Sequence, residues 1–304
     1  MNIGVLDVET TGLDYTKDKI TEVGLIIYDA DAALPIWSYG SLNDPKMDID
    51  PTVVALNGIT NELCHKQKVD FGLLDKKAAS CTYLIAHNAI FDMQFIFAET
   101  GNRGGFAPGK WLCSQYLVDW TEIPGVRGSQ RQAHIGADLG IFNTFPHRAV
   151  FDAATLGRMI FQTGVLDQMI KKARSKWYFV AALNAPFNKK DLLKERGYKP
   201  YFKRTKYNVP IGDGKFEQKE KAEFGFWYTI VPEYNDGALN EKHFLLDEVY
   251  PRMPNLKDSN KIIVGQSLPF EVREYEHWYQ PLMYVHLLEN PKDLEAKEGK
   301  ENGK

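Results

Sequence analysis

The chain has 304 residues, 44% of them hydrophobic and 25% charged, with a formal net charge of −3. That length suits two modest domains or one domain with a large appendage, the composition is that of an ordinary globular protein, and no whole-chain excess of positive charge announces a nucleic-acid partner. Cys64, Cys81 and Cys113 form no CxxC pair and no metal-finger spacing with a histidine. Their odd number argues against a disulfide framework and suits a reducing compartment. The opening MNIGVLDVETTGL is too short in its apolar part for a signal peptide, lacks a basic leader and meets Asp7 at once. No stretch approaches a membrane span, so a soluble, cytoplasmic protein is expected.

In chain order, Ile3 to Val8, Glu22 to Tyr28 and Pro35 to Tyr39 read as three strands close enough for an antiparallel meander. Pro51 to Leu56 reads as a short helix that Gly58 ends, Thr82 to Ala86 as a buried strand, and Ala89 to Glu99 as a helix. Asn102 to Gly105 reads as a loop and Leu112 to Trp120 as mixed structure; Val150, Leu156 and Ile160 give Ala149 to Phe161 a helical spacing. Strands first, then strand and helix in alternation, predict a mixed α/β sheet with helices packed against it.

The texture changes near residue 165. From Lys171 to Lys206 there are twelve basic residues against two acidic ones, Asp191 and Glu195. Trp177, Tyr178, Phe179, Phe187, Tyr198, Tyr201, Phe202 and Tyr207 are interleaved with them. Basic side chains can follow a phosphate backbone and aromatics can stack on unpaired bases; a solvated surface over a small aromatic core is the other reading of the same pattern. Asp213-Gly214 reads as a turn, Phe224 to Val231 as a strand, Asn240 to Tyr250 as a helix, and Pro291 to Lys304 as a disordered tail. The expected division is 1–165, 166–290 and 291–304. Trp278, Tyr275, Tyr279 and Tyr284 stand among acidic residues and could pack on the first domain, contact a polymerase or mediate a dimer; the oligomeric state is open.

Asp7 and Glu9 lie two apart on a predicted strand, so both side chains leave one face while Leu6 and Val8 point the other way. Two like charges side by side repel, and the sheet gains nothing from them unless a cation sits between. Asp92 follows the buried run in AHNAIFDMQF, and Asp152 follows His147 in HRAVFDA. Singly, each acid at a helix opening is a cap or dipole partner. Together the four carboxylates and the histidine make an economical site for two divalent cations, and hard oxygen ligands favour Mg²⁺ or Mn²⁺.

The segments LDVETTGLD, AHNAIFDMQF and HRAVFDAATL resemble the three exonuclease motifs of the DnaQ-like family, in order, and in particular the DEDDh subgroup with a histidine five residues before the last aspartate. ALNGIT, Ala55 to Thr60, is similar to the family's stretch between motifs I and II. The resemblance covers roughly residues 1 to 165 and implies a ribonuclease-H-like mixed sheet flanked by helices, followed here by a smaller α+β domain. It implies metal ligation by Asp7, Glu9, Asp92 and Asp152, and a general base at His147. Thr10, Thr11, Gly12 and Leu13 match the turn that supports the terminal nucleotide, with Asn88 and Phe91 lining the same cleft. Leu192 to Phe202, followed by FGFWYTIV, resembles an accessory module behind some epsilon-like exonucleases, without the tryptophan expected soon after RGY.

The implied activity is metal-dependent 3′→5′ hydrolysis of single-stranded DNA ends, in proofreading, repair or degradation, with release of 5′-mononucleotides. A DNA polymerase or other replication protein is the expected protein partner. RNA is the alternative substrate, because the motif residues do not read the 2′-hydroxyl. A non-catalytic nucleic-acid-binding adaptor is the alternative from another class.

Overall fold

The computed structural model describes residues 1–101, 104–212, 215–251, 265–267 and 270–282. The described chain separates into two units, Met1–Lys171 and the residues from Lys172 onward. The expected turn at Asp213-Gly214, Tyr284 and the tail from Pro291 lie outside the described residues.

In the first unit, strands β1 (Asn2–Thr10), β2 (Ile20–Asp29) and β3 (Leu34–Leu42) form the expected meander, each a few residues longer than the apolar runs that announce them. Helices α1 (Pro51–Asn57), α2 (Asn61–Cys64) and α3 (Phe71–Ala79) follow. Local chemistry sets the limits of α1: Asp50 accepts a hydrogen bond from the Thr52 amide, Pro51 opens the helix, and Gly58 closes it at φ 72°. Strand β4 (Tyr83–Ala86) leads into α4 (Ala89–Thr100). The mixed stretch resolves into β5 (Trp111–Cys113) and α5 (Ser114–Leu117), followed by α6 (Gln132–Asp138), α7 (Ala149–Thr163) and α8 (Leu166–Arg174).

The first sheet has the order β3-β2-β1-β4-β5. β1 pairs antiparallel with β2 and parallel with β4, and β4 pairs parallel with β5. β1 is therefore central, which is why Ile3, Val5 and Leu6 are completely buried. The β1–β4 register runs only from Ile3↔Tyr83 to Val5↔Ile85. Asp7 and Glu9 thus lie beyond it, at the carboxyl ends of the parallel strands, where α/β sheets open a crevice. This is the mixed, helix-flanked sheet of the ribonuclease-H-like fold.

The second unit holds β6 (Trp177–Ala182), α9 (Lys190–Glu195), β7 (Lys199–Gly212), β8 (Lys215–Pro232), α10 (Gly237–Phe244), β9 (Gly265–Ser267) and β10 (Phe270–Tyr275). Its sheet has the order β7-β8-β6-β10-β9 with every pairing antiparallel. Trp177, Tyr178 and Phe179, which the sequence offers as stacking faces for bases, are instead the buried start of β6; Tyr198 and Tyr201 are buried as well. Phe187, Phe202 and Tyr207 remain exposed. The strand foreseen at Phe224 is the end of an 18-residue strand, because β8 pairs with β7 from Gly212↔Lys215 to Lys199↔Tyr228 before meeting β6 at Trp227↔Ala182. The register also sets Lys203 opposite Glu223, so an acid on β8 answers part of the basic run. The expected helix from Asn240 is α10, continued by a π-helical turn at Leu245–Val249.

Among the described residues no helix is long and apolar enough to cross a membrane.

Candidate active site

Two approaches bring α7 to β2, the neighbour of β1. Gly24, the β2 partner of Asp7, leaves room for the α7 backbone: a β-carbon there would stand 2.4 Å from the Ala149 carbonyl carbon and the Val150 nitrogen. Further along, Gly157 of α7 admits the Tyr28 hydroxyl, which a β-carbon would meet at 2.3 Å. The first turn of α7, with Asp152, is thereby held against the end of β1.

Its entry is fixed by an ion pair between buried Glu22 and half-buried Arg148. Glu22, opposite Glu9 in the β1–β2 register, accepts from Arg148 Nη2 at 2.8 Å and Nε at 3.0 Å. Its Oε2 also accepts from the Ala149 amide at 2.9 Å, satisfying one of the free N–H groups at the helix start. The preceding residue, His147, has φ 59°, a left-handed conformation uncommon outside glycine that histidine adopts more readily than most residues.

Glu9, His147 and Asp152 each offer a ligating atom within 4.8 Å of the others. Asp7 and Asp92 lie outside that trio but close enough to act on it electrostatically. Burial raises the Asp7 carboxyl well above its ordinary range, and Asp92, Asp152, Glu9 and Glu22 all push it the same way. Burial lifts Asp92 to about 8, against the Val8 amide that donates to its Oδ1 at 3.1 Å. Burial lifts Glu9 to about 7, opposed by a hydrogen bond from Asn57 Nδ2 at 3.2 Å. Burial also raises Asp152, while the charge of His147 and a hydrogen bond from Asn143 Nδ2, 2.9 Å from Oδ1, pull it down. Gln132 Nε2 donates to the Asp152 carbonyl at 2.9 Å and to Oδ1 at 3.3 Å.

The donor set suits divalent cations. The groups are carboxylate oxygens with one imidazole, the charges acting on Asp7 are negative, and the nearby Arg148 is engaged by Glu22. Asp7, Glu9, Asp92 and Asp152 would hold the ions.

The other residues singled out in the sequence have more divided roles. Thr10 and Thr11 are buried, and their hydroxyls serve the turn itself: Thr10 donates to the Gly12 carbonyl, and Thr11 donates to Asp18 at 3.2 Å. Asp18 fills the space beside Gly12, where a β-carbon would stand 2.5 Å from its carboxylate. Leu13, at the tip, is 87% exposed. Asn88 is exposed at the start of α4 and caps it with no side-chain bond; Phe91, half-buried, packs on Phe95 at 4.9 Å. Sequence reasoning missed the supports: Glu22, Asn57, Gln132, Asn143 and Arg148. Glu22 carried a signal, being the one charge in the apolar run Glu22 to Tyr28, and Asn57 lay within the flagged ALNGIT; Gln132 and Asn143 carried none.

The family model described as Exonuclease (RNase_T) matches residues 5–160, more than half of the chain. The chain belongs to the DnaQ-like exonuclease family. This exonuclease is 30% identical over 154 residues to the DNA polymerase III subunit epsilon of Treponema pallidum (strain Nichols), across 48% of the chain and 69% of that relative. It is 34% identical over 163 residues to the PolC-type DNA polymerase III of Clostridium perfringens (strain 13 / Type A), across 51% of the chain but only 11% of the polymerase. It thus spans about a tenth of that polymerase. Among solved structures it is similar to the nuclease domain of 3′hExo, a DEDDh family member bound to rAMP, at 16% identity and a TM-score of 0.44, over 55% of the chain and 92% of that one. It is also similar to Exonuclease X in complex with 5′ overhanging duplex DNA, at 23% identity and a TM-score of 0.41, over 56% and 98%. Exonucleases of this family are phosphodiester hydrolases that use divalent metal ions.

Proposed function

We propose that this exonuclease hydrolyses single-stranded DNA from its 3′ end, one 5′-mononucleotide at a time, with two Mg²⁺ or Mn²⁺ ions held by Asp7, Glu9, Asp92 and Asp152. The observation that carries the reading is the convergence of Glu9, Asp152 and the His147 imidazole within 4.8 Å beside buried Asp92 and half-buried Asp7. When bound, the cations neutralise the charge that builds on the phosphoryl oxygens. His147 accepts the proton that an attacking water loses as its oxygen bonds to phosphorus. The bond from phosphorus to the 3′ oxygen breaks, and that oxygen takes a proton from solvent. Asn143 and Gln132 orient the Asp152 carboxylate, and Asn57 that of Glu9. The turn ending in exposed Leu13, with Asn88 and Phe91, receives the terminal nucleotide.

The likeness to polymerase III chains favours a replication protein as partner, with residues 166–290 as the accessory region that meets partner or nucleic acid. Digestion of matched 3′- and 5′-labelled single-stranded DNA and RNA, in Mg²⁺, Mn²⁺ or EDTA, tests the reading. Metal-dependent release of the 3′ label as mononucleotide, faster from DNA than RNA, is expected. Release of the 5′ label first would reverse the direction, and preference for RNA would replace the substrate.

A further inference from the structure

In the first unit Trp111, Trp120, Phe95 and Phe106 are buried. Its exposed phenylalanines, among the described residues, are Phe142, Phe145 and Phe151, at 80%, 54% and 39%. All lie in the ten residues from 142 to 151, the segment that carries His147 and runs directly into Asp152. The rings of Phe145 and Phe151 meet across the His147 loop, centroids 4.9 Å apart and tilted by 57°. Asn143 ties this pair to the acids: its Nδ2 donates to Asp152 Oδ1 at 2.9 Å while its Oδ1 accepts from the Phe145 amide at 3.0 Å.

The exposed part of each apolar ring beside this cluster of carboxylates has a cost in water. A nucleobase is the complementary occupant. It presents flat apolar faces, it is carried within one nucleotide of a phosphate, and in a duplex those faces are already stacked. Phe145 stands two residues before His147, and Phe151 is bonded to Asp152, so a strand whose phosphate reaches these groups brings its bases to the ring pair. We infer that Phe145 and Phe151 form a stacking platform for an unpaired base upstream of the 3′-terminal nucleotide, so that this face selects single-stranded ends. The inference rests on the nuclease reading above and adds to it the residues that grip the strand.

Two measurements on the full chain test it. The first compares kcat/KM for a dT12 oligonucleotide with that for the p-nitrophenyl ester of thymidine 5′-monophosphate, which has no upstream base. Phe145→Ala and Phe145→Leu should each lower the oligonucleotide-to-ester ratio about tenfold, the equivalent of one lost base stack, and Phe145→Tyr should restore it. The second reads fluorescence anisotropy of labelled dT12 in EDTA, where no catalysis occurs; the same Ala and Leu variants should weaken binding by a similar factor. An unchanged ratio together with unchanged binding would overturn the platform and leave a protein partner as the occupant. Weakened dT12 binding in an enzyme that cleaves neither substrate would sink the nuclease reading but keep the platform.

Discussion

Gly24 and Ala149 meet backbone to backbone, with no room between them for a single β-carbon. This contact holds the start of α7 over the strand that faces Asp7, and it decides where Asp152 stands. Gly24→Ala cannot be accommodated by moving a flexible side chain, because the obstacle is the Ala149–Val150 peptide. The substitution should destabilise the protein by about 1–3 kcal/mol in urea unfolding and lower nuclease activity by more than that loss of folded protein explains. Wild-type stability and rate would show that α7 does not depend on this approach.

Glu22 and Arg148 should be energetically coupled. Glu22 is buried, whereas Arg148 is about two-fifths exposed at its side chain, so breaking the pair should cost about 2 kcal/mol, less than for a fully enclosed pair. Glu22→Ala, Arg148→Ala and the double variant form a thermodynamic cycle, with an expected interaction of about 1–2 kcal/mol. Additive losses would remove the pair as the clamp on the His147 turn.

Metal-free protein should lose stability as the pH rises. Asp7, Glu9 and Asp92 all have folded carboxyls raised above their ordinary values, Glu9 to about 7 and Asp92 to about 8. The folded state therefore holds more protons than the unfolded chain, and the stability this gives, full below about pH 4, is lost as the pH passes through 7 to 8. Melting temperature in EDTA should fall from pH 5 to pH 9, and Mn²⁺ should raise it more at pH 8 than at pH 5. A flat profile in EDTA would mean that burial and the neighbouring acids do not raise these carboxyls.

Asp7→Asn should separate stability from activity. It removes a charge from a crowded set, so the melting temperature in EDTA should rise while hydrolysis is abolished. Retained activity would take Asp7 out of the metal set.

His147→Ala should slow hydrolysis by about 10²–10⁴-fold and remove the pH dependence that the base imposes. His147→Gly offers a control, since glycine accepts φ 59° without strain. It should be as slow as the alanine variant yet more stable. An unchanged pH profile in both would assign the proton elsewhere.

Much of the first unit is written locally. The apolar runs of β1 and β2, the Asp50, Pro51 and Gly58 signals around α1, and the two-residue spacing of Asp7 and Glu9 each act within a few residues, so they can be read along the chain. The four acids and His147 are legible because each sits in a short motif with its own neutral neighbours. The partners of the supports were not legible, although Glu22 and Asn57 each carried a local signal. Glu22 meets Arg148 across 126 residues, Asn57 meets Glu9 across 48, and no local pattern encodes such distances. The basic, aromatic stretch of the second unit shows the same limit: Trp177 to Phe179 and the residues of β7 have a composition that fits either a nucleic-acid surface or a sheet. Only the antiparallel pairing with β8 and β10 buries the former group and leaves Phe202 outside. Sequence alone thus determined which chemistry the chain carries, because residue type and short spacing are properties of the strand itself. Tertiary structure decided which groups hold those acids in place and which aromatics reach water, because both depend on partners the fold brings from far along the chain.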